Sequence, residues 1–452
     1  MNRRNFLKLV GVLAGAVALN ACSEFEDGDE DILIVGAGIA GLSAAQTLKK
    51  WGYNVTLLEA RERVGGRVWT SRQWQNAPLD LGASWIHGVS GNPIAKLADQ
   101  NDIKTVETDY ENHWIYKPNG AELSNAEYNE LEEYEALIEE YLADAIDELD
   151  DDVSLKTIVD AVFAEEELSA EERKTVLYLL NTIIEHEYAA DISEFSLFAL
   201  DEGEEYIGGD VIFPNGYDQI IDLLSAGLDI RLNEIVTRVD YGGSGVRIQT
   251  NNGTYEAERA LITVPLGVLQ RGGIQFSPTL PNAKQDAINR LGMGLLDKLY
   301  LKFPDIFWDK RAELLGYLGD KTGEWAEWLN IAHYTGQPIL LGFNAGTFAR
   351  TVEKWTDEQI VESAMTVLRN MYGSNIPDPL DWQITRWAED PYAWGSYSFL
   401  KPGTDGDTLK TLAAPVDGRL FFAGEATSND YQATVHGAYL SGIRAAEEIW
   451  DA

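Results

Sequence analysis

Cysteine is almost absent from this chain: Cys22 is the only one in 452 residues. A single cysteine forms no intramolecular disulfide, so the fold must rest on its apolar core. Histidine is scarce as well, and His87, His113, His186, His333 and His436 show no spacing that would build a metal site. Positive charge is the third shortage, with 35 basic residues against 74 acidic ones and a net charge of −39. Such a chain repels nucleic acid and anionic bilayers, which excludes both as partner surfaces. Small cations are attracted, although an acidic surface serves solubility or a salty habitat more often than it serves a substrate. The apolar stretch 9–19 is too short to span a bilayer comfortably. Internal repeats are missing too, and the acidic segment 23–30 is the one stretch without a packing pattern.

What is present describes an ordinary folded protein. With 45% apolar and 10% aromatic residues, 452 residues suffice for two domains with sizeable cores. Residues 31–67 organise the chain. An apolar run at 32–35 reads as a buried parallel strand, and Gly36, Gly38 and Gly41 follow at G-x-G-x-x-G spacing. A helix is expected over 39–50 and a second strand over 55–58, ending at Glu59. In this unit Gly36 makes the tight turn, Gly38 lets the backbone approach a pyrophosphate, and Gly41 packs helix on sheet. The helix N-terminus, at Ile39 and Ala40, faces the phosphates. Glu59 stands where a carboxylate accepts from a ribose hydroxyl, which favours an adenosine without a 2′-phosphate.

Further along, 79–88 is apolar and punctuated by glycine, like a loop pressed against a ligand. Ser124 with Glu127 and Ser169 with Glu172 form capping boxes for acidic amphipathic helices, the second running towards Glu187. Their acidic residues read as solvated faces. Strands are expected at 230–232, 235–240, 246–250, 260–264 and 419–423, with Asn252-Gly253 as a hairpin signal. Helices are expected at 356–371 and 434–450.

Several of these stretches together resemble the FAD-dependent amine oxidases, in the branch of polyamine oxidases and lysine-specific demethylases. They are DILIVGAGIAGLSAA, GASWIHG, FPNGYDQI, GMGLLDKLYLKF, RWAEDPYAWGSYS, FFAGEATS and ATVHGAYLSGIRAA, in family order after residue 30. The loop Arg61-Glu62-Arg63-Val64-Gly65-Gly66-Arg67 resembles the extension that wraps FAD in this family. The resemblance implies an α/β fold: a Rossmann-type FAD-binding domain (31–88, 207–281 and 382–452) with an interleaved α+β substrate-binding domain (89–206 and 282–381). It also implies that an amine gives a hydride equivalent to flavin N5, the imine is hydrolysed, and oxygen is reduced to hydrogen peroxide.

Residue by residue, the resemblance implies FAD contacts at Gly36, Gly38, Ile39, Ala40, Gly41, Glu59, Ala60, Arg61, Gly65, Gly66 and Arg67. The same holds for Gly82, Ala83, Ser84, Trp85, Val236, Trp387, Tyr392, Gly424, Glu425, Ala433, Thr434 and Val435. Lys298, on a strand face between Leu296 and Tyr300, matches the family lysine that holds a water beside the flavin. A lysine on an apolar strand face needs a partner or a function. His87 and Tyr397 are implied as catalytic and substrate-facing residues, with Thr434 also near the substrate. Tyr397 would form one wall of an aromatic cage; the second wall is open, because the residues before the last helix are small. His436 is expected to be structural.

At the N-terminus, Asn2-Arg3-Arg4-Asn5-Phe6-Leu7-Lys8 resembles a twin-arginine export signal, and Leu19-Asn20-Ala21-Cys22 a bacterial lipobox. The expectation is a signal peptide over 1–21, lipidation at Cys22, an acidic tether over 22–30, and a protein exported folded to the cell envelope. An uncleaved anchor is the alternative. Lipidated Cys22 could not also bond a flavin, so the FAD is expected to be non-covalent. The partners expected are a small cationic amine, oxygen, and a membrane reached only through the lipid. An L-amino acid oxidase, which needs an arginine for the substrate carboxylate, and a non-catalytic amine-binding lipoprotein are the competing readings.

Overall fold

The computed structural model describes residues 30–452, so the export signal, Cys22 and most of the tether lie outside the described residues. Among the described residues no helix is long and apolar enough to cross a membrane.

Asp31–Val35 is buried from its second residue and is the centre of a five-stranded parallel sheet. Its neighbours are Arg259–Ile262 and then Leu420–Phe422 on one side, and Asn54–Leu58 and then Asp229–Arg231 on the other. The first helix, Ile39–Lys50, has the bounds expected from the pattern, and the C-terminal helix Val435–Trp450 packs against it. Small residues make that packing possible: a Cβ at Gly442 would stand 2.2 Å from the Ala40 carbonyl oxygen. This is the expected doubly wound architecture, with ligands received at the carboxyl ends of the strands.

A six-stranded sheet makes the second body, in the order Asp381–Ile384, Leu296–Lys302, Ile339–Ala345, Glu327–Asn330, Leu314–Tyr317, His113–Tyr116. Its pairings are antiparallel except the last, where Leu314–Tyr317 runs parallel to His113–Tyr116. The helix Asp357–Tyr372 packs its apolar face on this sheet, and the helices Asn125–Glu148 and Ala170–Leu180 each have the capping box expected at their start. A three-stranded sheet, Trp85–Ile86, Asp210–Ile212, Val106–Thr108, links the two bodies.

The helical run that starts after Ser169 continues towards Glu187, as Ala170–Leu180, a π-helical turn Asn181–Glu185 and the short helix His186–Tyr188. Strand pairing crosses the expected domain boundaries at 88/89 and 381/382. Val106–Thr108 pairs with Asp210–Ile212, and Asp381–Ile384 pairs with Leu296–Lys302. Backbone pairing over such separations leaves no local mark in the sequence.

Candidate active site

A single cavity of about 450 Å³ runs between the two bodies, and every candidate site residue among those described lines it except Gly41. Gly41 sits behind the wall. A Cβ there would lie 2.1 Å from the Gly36 carbonyl oxygen, so its role is to let the first helix approach the sheet. That is the packing job read from the spacing, and it corrects the expected direct contact.

At one end the cavity is a cradle for a dinucleotide. Gly36 holds a left-handed φ of 106° at the turn, and the space beside Gly38 is open for at least 4 Å. No side chain caps the N-terminus of Ile39–Lys50, and its first turn carries no acid. Its first N–H groups therefore face the cavity as donors for an anion. Glu59 is buried and fixed by two backbone donors, Ala37 N–H to Oε2 (2.8 Å) and Arg61 N–H to Oε1 (2.9 Å). Arg61 pairs through both guanidinium nitrogens with Asp390, at 2.8 and 2.9 Å, and lies over the Tyr392 ring. Arg67 bonds Glu425 at 2.9 Å, and Glu425 in turn accepts from Ser398 and the Ala433 N–H. Gly65, Gly66, Val236, Gly424 and the start of the last helix complete the wall. An open glycine, an uncapped helix start and a fixed carboxylate are what an FAD needs for its diphosphate and ribose, so the residues present fit the group.

Lys298 stands further along the wall. Its strand face is the expected one: its Nζ and the Tyr300 hydroxyl both donate to the Asp80 carbonyl, at 2.9 and 2.8 Å. Nζ also donates to the Gly82 carbonyl (2.5 Å) and the Ser84 hydroxyl (2.6 Å), which makes 79–88 the loop that positions it. Burial pulls the Lys298 pKa well below the ordinary lysine value, opposed by the Asp80 carboxylate, whose own pKa burial raises. The Lys298 ammonium lies 5.9 Å from the centre of the Trp85 ring.

His87 is held from behind. Its Nδ1 is 3.0 Å from Asp210 Oδ2, and the buried Asp210 also accepts from the Gly88 N–H and the Tyr110 hydroxyl. Nδ1–H donates to that carboxylate, so in the neutral ring Nε2 is the acceptor. His436 is structural in its bonding, as expected. Asn92 Oδ1 accepts from Ile94 N–H, which turns its Nδ2 donor towards His436 Nδ1 at 3.3 Å. Burial, with His87 as a smaller cause, lowers the His436 pKa to about 3.

Tyr397 lines the cavity and donates to the His186 carbonyl (3.0 Å); Trp387 is buried beside Trp69. The remaining wall holds residues that sequence reading did not single out as site residues: His186, Glu187, Tyr188, Glu204, Glu205, Tyr206, Asp210, Glu327 and Phe343. Tyr206 stacks on Tyr431 at 4.8 Å, and Tyr431 donates to Glu204. Only the preference of an acidic chain for cations pointed towards these carboxylates.

The sequence profile of the flavin containing amine oxidoreductases matches residues 39–450. Polyamine oxidase 4 of Oryza sativa subsp. japonica is 36% identical over 460 residues, covering 98% of this chain and 92% of that protein. Polyamine oxidase 2 of Arabidopsis thaliana is 36% identical over 432 residues, with 92% and 87% covered. Lysine-specific histone demethylase 2 of Homo sapiens is 32% identical over 441 residues, and only 53% of that longer protein is covered. A solved structure of a putrescine oxidase double mutant shares the fold with a TM-score of 0.74 at 21% identity, over 94% of this chain and 99% of that one. On the profile and these relatives, the chain belongs to the flavin containing amine oxidoreductases and is an FAD-dependent amine oxidase.

Proposed function

We propose that the protein oxidises a polyamine or a related primary or secondary amine, with oxygen as acceptor and FAD held non-covalently. The observation that carries this reading is one continuous cavity in which a dinucleotide cradle meets a carboxylate-lined, aromatic-walled space with Lys298 on its wall. Bound in the cradle, FAD supplies two-electron oxidation of the C–H bond next to the amine nitrogen.

The chain's own residues do the rest. Glu187, Glu204 and Glu205 draw an ammonium group in from solvent. Trp85, Phe343 and Tyr397 strip its water, which favours the neutral, reactive amine. His87, aimed by Asp210, takes up the ammonium proton at Nε2. Lys298 spends its three donors on the Asp80 and Gly82 carbonyls and the Ser84 hydroxyl, and so holds the loop that carries Trp85 and His87 against the reacting centre. Cys22 is the only thiol in the chain, and lipidation there would leave none to bond a flavin, which supports non-covalent binding.

An L-amino acid oxidase needs an arginine for a carboxylate. The arginines lining the cavity are Arg61 and Arg67, and both are already paired, with Asp390 and Glu425. Hydrogen peroxide release from spermine, spermidine, putrescine, tyramine and L-leucine tests the reading. A polyamine should be the best substrate. Turnover of L-leucine alone would establish the amino acid oxidase instead, and a colourless protein would leave only a non-catalytic amine-binding role.

We also propose that Cys22 carries a lipid and tethers the folded enzyme to the cell envelope after twin-arginine export, on the strength of the sequence patterns at 2–8 and 19–22. Cys22→Ala should move the protein from the membrane fraction to the soluble one. Retention of that variant in the membrane would contradict the lipid anchor.

A further inference from the structure

Amine oxidation as proposed leaves one buried acidic pair without a role. Asp297, next to Lys298 on the same strand, is 3% exposed, and Glu353, just past the helix Gly346–Val352, is 8% exposed. Alternation turns Asp297 to the strand face opposite Lys298, and neither carboxyl group lines the cavity. We infer that Asp297 and Glu353 share one proton and together clamp the segment 385–388, which makes them positioning residues for Trp387 on the cavity wall. The worth of that position rests on the proposed amine oxidation, whereas the shared proton stands apart from it.

The Asp297 and Glu353 side chains are hydrogen-bonded to each other. An ionised carboxylate only accepts, so a bond between two of them requires a proton on one. Oδ1 of Asp297 accepts from the Thr385 hydroxyl at 2.7 Å and the Trp387 N–H at 3.1 Å, while its buried Oδ2 meets no other donor among the described residues. Glu353 Oε1 accepts from the Ala388 N–H at 2.8 Å. The proton therefore sits on Asp297 Oδ2 and is donated to Glu353. Burial, followed by the charge of Glu353, holds the Asp297 pKa well above the ordinary carboxylate range, and burial raises that of Glu353 too. Arg350 and Glu389 act on Glu353 from neighbouring segments, in opposite directions. Arg386 donates to the Glu353 carbonyl and the Asp357 carboxylate, and Asn344, opposite Asp297 in the sheet, is neutral.

What the pair holds belongs to the site. Thr385 Oγ accepts from the Lys298 N–H at 2.8 Å, and the Thr385 N–H donates to the Lys298 carbonyl at 3.0 Å, so the Lys298 backbone is tied to the same clamp. Two residues on, Trp387 lines the cavity and meets Trp69 edge-on at 6.2 Å. An acid beside a carboxylate satisfies the donors of Thr385, Trp387 and Ala388 with one buried charge. Two bare carboxylates there would add a second desolvation cost and a like-charge repulsion that pushes strand and helix apart.

Asp297→Asn tests the proton, because the amide keeps the shape, accepts at Oδ1 and donates to Glu353 with no proton to lose. In the unfolded chain Asp297 ionises near its ordinary value of 3.8, so wild-type folding takes up a proton that folding of the variant does not. Chemical unfolding of the flavin-loaded proteins should show the wild-type unfolding constant rising, relative to the variant's, by about tenfold per pH unit between about pH 5 and 7. Equal pH dependence of the two would overturn the shared proton. The clamp is read from visible circular dichroism of the bound flavin and from its anaerobic reduction by amine. Asp297→Asn should match the wild type in both, whereas Asp297→Ala, which removes the acceptor of the Trp387 N–H, should alter the spectrum and slow reduction by at least about tenfold. A flavin-loaded Asp297→Ala with the wild-type spectrum and rate would overturn the clamp. The expected unfolding ratio and an altered Asp297→Ala spectrum, in an enzyme whose flavin no amine reduces, would uphold the pair and sink the proposed reaction instead.

Discussion

Replacing Lys298 by Met separates what this residue does for the fold from what it does for the reaction. Met keeps most of the apolar stem and deletes the three donors. The Asp80 carbonyl keeps the Tyr300 hydroxyl, and the Ser84 hydroxyl keeps its 3.3 Å contact with the same carbonyl. Only the Gly82 carbonyl loses its partner, a cost of about 1–3 kcal/mol. Removing an amine that burial makes hard to charge offsets part of this. The variant should therefore fold and load flavin. Its chemistry should suffer far more, because the loop it holds carries Trp85 and His87, and a misplacement of about 1 Å at the reacting centre costs on the order of 10² in rate. Anaerobic stopped-flow absorbance, with the best amine as reductant, reads flavin reduction directly. A flavin-loaded Lys298→Met reduced within about threefold of the wild-type rate would refute the role given to Lys298.

The glycines of the cradle predict opposite phenotypes. Gly38→Ala places its methyl in open space, so the apoprotein should keep its stability while flavin affinity falls; Gly41→Ala, whose Cβ meets the Gly36 carbonyl at 2.1 Å, should lose about 1–3 kcal/mol with or without flavin. Chemical unfolding and flavin titration of both variants check this. His436 ties stability to pH. Its folded pKa is about 3 against an ordinary 6.5, so on acidification the unfolded chain takes up a proton that the folded one refuses. That contribution is complete above pH 6.5 and is lost as pH falls towards 3. His436→Gln should show a smaller drop in unfolding free energy between neutral and mildly acidic buffer than the wild type does.

Much of the dinucleotide cradle was legible because its signals are local. Turn glycines, an apolar run, a helical period and a terminal acid all fall between residues 31 and 59, and the helix 39–50 appears with the bounds the pattern implies. Lys298 was legible through its resemblance to the family lysine, and alternation placed its strand face, since Tyr300 shares that face and even its acceptor. The amine end was not. Asp210 reaches His87 because Asp210–Ile212 pairs with Trp85–Ile86, more than a hundred residues earlier. The acidic helices misled in one place. Most of their carboxylates are solvated, as the amphipathic pattern implies, yet Glu187 lines the cavity. The π-helical turn Asn181–Glu185 stands just before it, and one extra residue in a helical ladder shifts every later side chain around the axis without changing composition.

The central claim is that one cavity holds a flavin and presents an amine to it. Anaerobic mixing of the purified wild-type protein with spermidine or putrescine, followed by flavin absorbance, tests it most directly. The expected result is a yellow protein whose flavin bleaches on mixing and recovers its colour when oxygen is admitted. A protein that carries no flavin, or a flavin that no polyamine or other amine bleaches, would contradict it.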